Sequence, residues 1–386
     1  MSTVISKARA MIPVARPFLG VEEEQGVLEV LRSGWVTQGP RVAEFERKFA
    51  RFVGCEHAIA VSSCTTALQL SLWASGIGPG DEVICPSLSF IATANAIKCL
   101  GATPVFADID ASTYNIDPEV IEGLISPRTK AILAVHQMGL PAELNALQEI
   151  AIANKLKLIE DAACAIGASF HGEMIGKPVG DIACFSFHPR KIMTTGEGGM
   201  ITTQNPELAA RMSRLRQHAM SLSDVARHNS RQVALETYDE VGFNFRMTDM
   251  QAAVGIAQLD RLSTVLVRRR LLAKRYTTAL NHLSWLQTPR IPTYSDHNYQ
   301  SYMVLLTVGT VADRDAMMQR LLEKGISTRR AIMAIHREKP YQSSVWEERL
   351  PRTNRISDAG IILPLVHEMS ELDQDYVIDT VLEMQP

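Results

Sequence analysis

Apolar and polar positions along this chain follow two periods in turn. Short, nearly continuous apolar runs occupy His57–Val61, Glu82–Cys85, Thr103–Phe106, Lys130–Val135, Leu156–Ile159 and Ile182–Phe187, with helical stretches between them. Strands alternating with helices predict a mostly parallel sheet covered on both faces. Upstream, Glu22 to Val53 reads as two helices around a turn-like link, Gly34 to Pro40, with Pro40 placed to begin the second. Met200–Thr203 adds another strand, followed by a basic helix around Glu207–His218. A helical pattern then runs from Thr248 through QAAVGIAQLDRL past Arg270 and bridges into a smaller C-terminal part. There, Ser301–Val308 reads as a strand, Ala312–Lys324 as a helix and Ile361–Leu365 as a buried segment. The expected division is a large domain over 1–250, with an N-terminal arm, and a small one over 251–386. Ser221 to Asp239 is polar and without clear period, either a functional segment or a surface excursion.

Composition narrows the class without naming it. The 386 residues are 46% hydrophobic and 21% charged, ordinary for a soluble enzyme. A formal net charge of −3 with no basic block gives no nucleic-acid footprint. No apolar run approaches the roughly 20 residues of a membrane span. The N-terminal MSTVISKARAMIPVARPF has no continuous apolar core, so no signal peptide is expected. Six scattered cysteines without a CxxC pair read as reduced thiols in a cytoplasmic protein, not as a disulfide framework or a metal site.

Candidate chemistry concentrates in Phe185–Gly199, FSFHPRKIMTTGEGG. Lys191 follows a strand end, where open α/β sheets place ligands. Lysine forms Schiff bases with carbonyl compounds once its setting lowers its pKa enough to free the amine. Gly196, Gly198 and Gly199 let the backbone turn and approach something closely. A lysine read alone is far more often a solvated loop residue, and it is these neighbours that change the odds.

The run SFHPRKIMTTGEGG resembles the signature of the DegT/DnrJ/EryC1/StrS aminotransferases, and an ordered set of further motifs extends the resemblance from about Gly34 to Leu262. It implies an α/β chain of PLP-dependent transferase fold type I, the aspartate aminotransferase-like fold. That fold has a large domain with a mostly parallel seven-stranded sheet between helices, and a smaller α+β C-terminal domain. The implied activity moves an amino group from L-glutamate to a keto sugar, most often a nucleotide-linked 4-keto-6-deoxy or 3-keto hexose. Pyridoxal phosphate (PLP) and its amine form (PMP) alternate as cofactor, and Lys191 would carry PLP as an internal aldimine and shuttle the proton.

Four further features take roles from the resemblance. Ser62-Ser63-Cys64-Thr65-Thr66-Ala67 lies between a strand and a helix, and a helix N-terminus offers unpaired N–H groups to a phosphate. The residues alone leave that reading level with simple N-capping by Ser63. The family pattern Ser-Gly-Thr assigns Cys64 and Thr65, with a Cβ where glycine is usual, and adds Ser186 as a phosphate ligand. Asp161, in LIEDAA, would hold the pyridine nitrogen protonated; alternation puts its competitor Glu160 on the opposite face. Cys164 stands where the family more often has Gln or His near the phenolic oxygen. Phe90, by composition alone a core residue, matches an aromatic stacked on the cofactor. Asn244, in VGFNFRMTD, matches a segment reaching the partner subunit's cofactor phosphate, which implies a homodimer with shared sites.

Weaker features are His136, His188, Arg246 and the run Ser327–His336, which places Arg329, Arg330 or His336 near a sugar or phosphate unless they are solvated charge. Competing readings are a dehydratase of the same family, which Lys191 argues against, and a non-enzymatic regulator on the same scaffold. A nicotinamide dehydrogenase would want GxGxxG where SSCTTA stands.

Overall fold

A computed structural model describes residues 10–222, 227, 233 and 235–384. Most of the Ser221–Asp239 stretch lies outside them. Its described ends meet where Ser221 N–H donates to Thr237 O at 3.0 Å.

The apolar runs form strands β1 (His57–Val61), β2 (Glu82–Pro86), β3 (Thr103–Ala107), β4 (Thr129–Val135), β5 (Lys157–Asp161) and β8 (Ile182–Ser186). With β9 (Gly199–Thr203) they make one seven-stranded sheet in the order β1-β9-β8-β5-β4-β2-β3. Only β9 runs against the rest, pairing antiparallel with both β1 and β8. These strands are buried at nearly every position and rich in apolar residues because both faces are covered. In β8, Ile182 and Cys184 face α3 (Cys64–Ala74), α4 (Ala92–Lys98) and α6 (Pro206–Leu215). Ala183 and Phe185 face α2 (Pro40–Val53), where Phe185 lies against Phe49 with ring centroids 5.1 Å apart. Under β4 and β5 that face is closed by α5 (Leu144–Ala153) through Leu147 and Ala151.

The pattern beginning at Thr248 becomes α7 (Asp249–Leu280), capped by the Thr248 side chain. Its first carboxylate also caps α2: Asp249 accepts from the N–H groups of Gly39, Arg41 and Val42 at 2.8–3.0 Å. Pro40 costs that helix start nothing, because an N1 amide has no intrahelical acceptor. Leu259 and Leu262 of α7 pack beside α2, whereas Leu272 and Tyr276 enter a second core. That core covers an antiparallel sheet ordered β10-β12-β14-β13 (Leu286–Gln287, Tyr302–Leu306, Gly360–Leu363, Arg329–Arg330). A three-stranded sheet, β11-β6-β7 (Ser295–Asp296, Ser169–Phe170, Glu173–Met174), links the regions. The N-terminal segment joins them as well, with Ile12 N–H on Gly325 O at 2.8 Å.

Candidate active site

Because β1, β2, β4, β5 and β8 point the same way, their carboxyl ends open on one cavity of about 690 Å³. Cys64, Thr65, Phe90, Asp161, Cys164, Ser186 and Lys191 all line it.

After β1 the chain turns into α3 through Ser63, whose side chain accepts from Thr66 N and whose carbonyl accepts from Ala67 N. Ser63 is therefore the N-cap, and the amides of Cys64 and Thr65 at the first two helical positions stay free of intrahelical partners. The capping and anion-binding readings thus coexist. Among the described residues, Thr65 Oγ1 has no hydrogen-bond partner either. Cys64 fits its place because its sulfur turns into the sheet, 3.7 Å from Cys184 O, away from the free amides. The cradle's floor is Gly199: a Cβ there would stand 2.6 Å from Ser63 C and 2.8 Å from Cys64 N. Only glycine lets β9 approach so closely.

Asp161 closes β5 and is buried. Its Oδ2 accepts from Thr93 Oγ1 at 2.9 Å and its Oδ1 from Ala163 N at 3.2 Å. Burial raises its pKa, opposed by those two bonds and by Lys191 and His136. A cationic partner in the cavity would relieve that burial. Glu160 points through the sheet to the other face, where it accepts from Val179 N at 2.9 Å and sits 3.1 Å from His136 Nε2. His136 Nδ1 accepts from Ala142 N, which fixes the tautomer with the proton on Nε2.

Lys191 lies in the loop after β8, with Nζ 3.1 Å from Cys164 Sγ. Burial works to lower its pKa, but Cys164, Cys64 and Asp161 outweigh it, so the net shift is upward. This reverses the expectation that the setting frees the amine: the neighbours are thiols and a carboxylate, not cations.

Phe90 is 59% exposed at the cavity wall, and among the described residues its ring packs against no other aromatic. His188, Arg190, Arg329 and Arg330 line the cavity as well. His336 does not: it is buried, Nδ1 2.8 Å from Ser87 Oγ, and serves packing. Asn244 is exposed and lies outside its own chain's cavity, bridging Gln217 through the backbone. Sequence reading missed Thr93, Val14, Ala15 and Gln300. Thr93 stands three residues after Phe90, at helical spacing, which was the available signal; the others arrive from distant parts of the chain.

A cradle of free amides, an amine and a buried carboxylate around one cavity suits pyridoxal phosphate, and with it transamination. Over residues 17–382 the chain matches the DegT/DnrJ/EryC1/StrS aminotransferase family, and it belongs to that family. It is 39% identical over 385 residues to the spore coat polysaccharide biosynthesis protein SpsC of Bacillus subtilis (strain 168), covering 99% of each chain. The aminotransferase TlmJ from Streptoalloteichus hindustanus is 36% identical, with a TM-score of 0.87 over 96% of this chain and 98% of that one. Spr1654 from Streptococcus pneumoniae, solved in PMP and PLP forms, gives TM-scores of 0.90 and 0.89 at 27% and 26% identity. Those matches cover 96% of this chain and 98% and 97% of theirs. The enzyme is accordingly a PLP-dependent transaminase of a sugar-aminotransferase family.

Proposed function

We propose that this enzyme transfers the amino group of L-glutamate to a nucleotide-linked keto hexose, working as a cytoplasmic homodimer with shared active sites. The observation that carries the chemistry is the convergence of Lys191 Nζ, buried Asp161 and the free amides of Cys64 and Thr65 on one cavity. In this reading those amides, Thr65 Oγ1 and Ser186 Oγ hold the cofactor phosphate, and Phe90 covers the ring. Lys191 Nζ would hold the cofactor at rest and would carry the proton abstracted from the amino donor, a role worth roughly 10²- to 10⁴-fold in rate. Asp161 would keep a proton on its ring nitrogen. When bound, the cofactor supplies the electron sink that the side chains lack. The amides of Cys64 and Thr65, free of intrahelical partners, suit its phosphate.

The nucleotide link rests on Arg190 and Arg329. Both line the cavity, their like charges face each other closely enough to lower the Arg329 pKa after burial has done so, and among the described residues neither has a carboxylate partner. Two unpaired guanidiniums suit a diphosphate. The dimer rests on Asn244, exposed and outside its own cavity. The division into a cofactor-binding region over 1–250 and a smaller region over 251–386 belongs to the same reading.

The test is to add L-glutamate to the purified holoenzyme without any sugar. A change in the visible absorbance with stoichiometric 2-oxoglutarate supports the proposal. Lys191→Ala should abolish both, and an alanine variant that keeps near wild-type turnover would remove Lys191 from its role.

A further inference from the structure

The segment between β11 and β12, His297 to Ser301, is held more tightly than a connecting loop requires. Tyr299 takes a left-handed φ of 53°. Arg269 of α7 donates through Nε and Nη2 to Tyr299 O at 3.0 and 2.6 Å, and through Nη2 to Gln300 O at 2.9 Å. Burial brings the Arg269 pKa down to about 10, so the guanidinium stays charged at neutral pH. Asn298 is fully buried against Gly139, whose φ of 95° and missing side chain make the seat, since a Cβ there would overlap Asn298 Oδ1.

The two amides of this strap reach the two residues in contact in the cavity. Asn298 Nδ2 donates to Cys164 O at 2.7 Å and to Ile166 O at 2.8 Å, while Asn298 Oδ1 accepts from Gln300 N at 2.8 Å. Gln300 Nε2 donates to Arg190 O at 2.8 Å, and its Oε1 accepts from Ile192 N at 2.9 Å. The Gln300 amide therefore grips the backbone immediately before and immediately after Lys191. Among the described residues, these two are the hydrogen bonds that tie the backbone of 188–193 to the rest of the chain; its other backbone bonds are local.

We infer that Gln300 and Asn298 are positioning residues for the amino transfer, setting Lys191 Nζ and Cys164 Sγ in register from one rigid strap. Lysine's flexible stem alone leaves Nζ many placements, and displacement near 1 Å in a reacting group can cost on the order of 10²-fold in rate. The strap removes that freedom at the backbone and leaves the side chain mobile enough to move a proton.

The inference rests on Lys191 as the cofactor-holding lysine, which loss of the visible band in Lys191→Ala verifies separately. The experiment compares holoenzymes of wild type, Gln300→Met, which keeps the length and loses both hydrogen bonds, and Gln300→Glu, which keeps the acceptor for Ile192 N–H. Three quantities are read: the pH at which the visible band titrates, hydrogen exchange at Ile192 N–H, and the split of kcat from sugar KM. Gln300→Met is expected to shift the band's titration, speed exchange at Ile192, and lower kcat on the order of 10- to 100-fold with KM within about threefold. Gln300→Glu should recover exchange protection at Ile192 and part of kcat. The same titration and kcat in all three proteins would overturn the inference. So would a loss of activity that follows cofactor content or thermal midpoint while the titration stays put.

Discussion

Lys191 Nζ lies 3.1 Å from Cys164 Sγ, and that contact is the foremost of the influences that oppose burial at the amine. Burial alone would lower the lysine pKa; Cys164, with Cys64 and Asp161 behind it, reverses the sign and favours the ammonium. A lysine that must condense with a carbonyl does so as the neutral amine. In the cofactor-free enzyme, therefore, the side chain nearest Lys191 works against capture of PLP.

Cys164→Ala should expose this directly. With its largest raising neighbour gone, burial regains weight and the Lys191 pKa falls. The rate at which cofactor-free protein captures PLP, trapped by borohydride, should then reach half its plateau at lower pH than in wild type. A profile that stays in place or moves to higher pH would show that Cys164 does not hold the charge.

The cradle gives a second prediction. Gly199→Ala would put a Cβ 2.6 Å from Ser63 C, against backbone that cannot swing aside. Overpacking of this kind costs about 1–3 kcal/mol. The shift lands on the amides of Cys64 and Thr65, so PLP affinity measured by equilibrium dialysis should fall by at least about tenfold. An enlarged residue with unchanged affinity would mean that the loop yields elsewhere.

His136 and Glu160 give a prediction about stability. Both are fully buried and 3.1 Å apart on the sheet face away from Asp161. His136→Ala leaves a buried carboxylate with only the Val179 and Gly180 amides, and losing a hydrogen bond to a charged group costs on the order of 1.5–3 kcal/mol. Denaturant unfolding at neutral pH should show that loss. Adding Glu160→Gln to His136→Ala removes the stranded charge and keeps one oxygen for the Val179 and Gly180 amides, so the double variant should recover part of the loss. Equal losses would place the effect in volume, not charge.

How much of this was legible before the structure depended on the distance over which each signal acts. The strands were legible because a sheet covered on both faces demands apolar runs, and β1 through β5, β8 and β9 lie within a residue or two of the expected spans. Asp161 and Glu160 could be assigned to opposite faces because a strand alternates. Thr93 holds Asp161 from another element, 68 residues away in sequence, and no local pattern reports such a pairing. Gln300 and Asn298 were invisible for the same reason: their partners at 190–192 and 164–166 are loop carbonyls and an amide, which leave no compositional trace. The reversed shift at Lys191 was missed because it depends on Cys164 and Cys64, whose proximity only the fold creates. His336 was one of three candidates in the run Ser327–His336 for a place near a ligand, yet burial against Ser87 claims it.

Asn244 provides the last prediction, because it separates a shared site from a self-contained one. The side chain is exposed and outside its own cavity, so truncation should leave the monomer's fold intact. Asn244→Ala should weaken PLP binding and activity only if the residue serves a neighbouring copy. Mixing inactive Lys191→Ala with Asn244→Ala, then allowing subunits to exchange, makes that arrangement measurable. A mixed dimer holds one site with both residues wild type, and one site with neither. At equal proportions half the dimers are mixed, so activity should climb to about one quarter of the wild-type value from two weak parents. If each chain completes its own site, the mixture can only average its parents, and no recovery will appear.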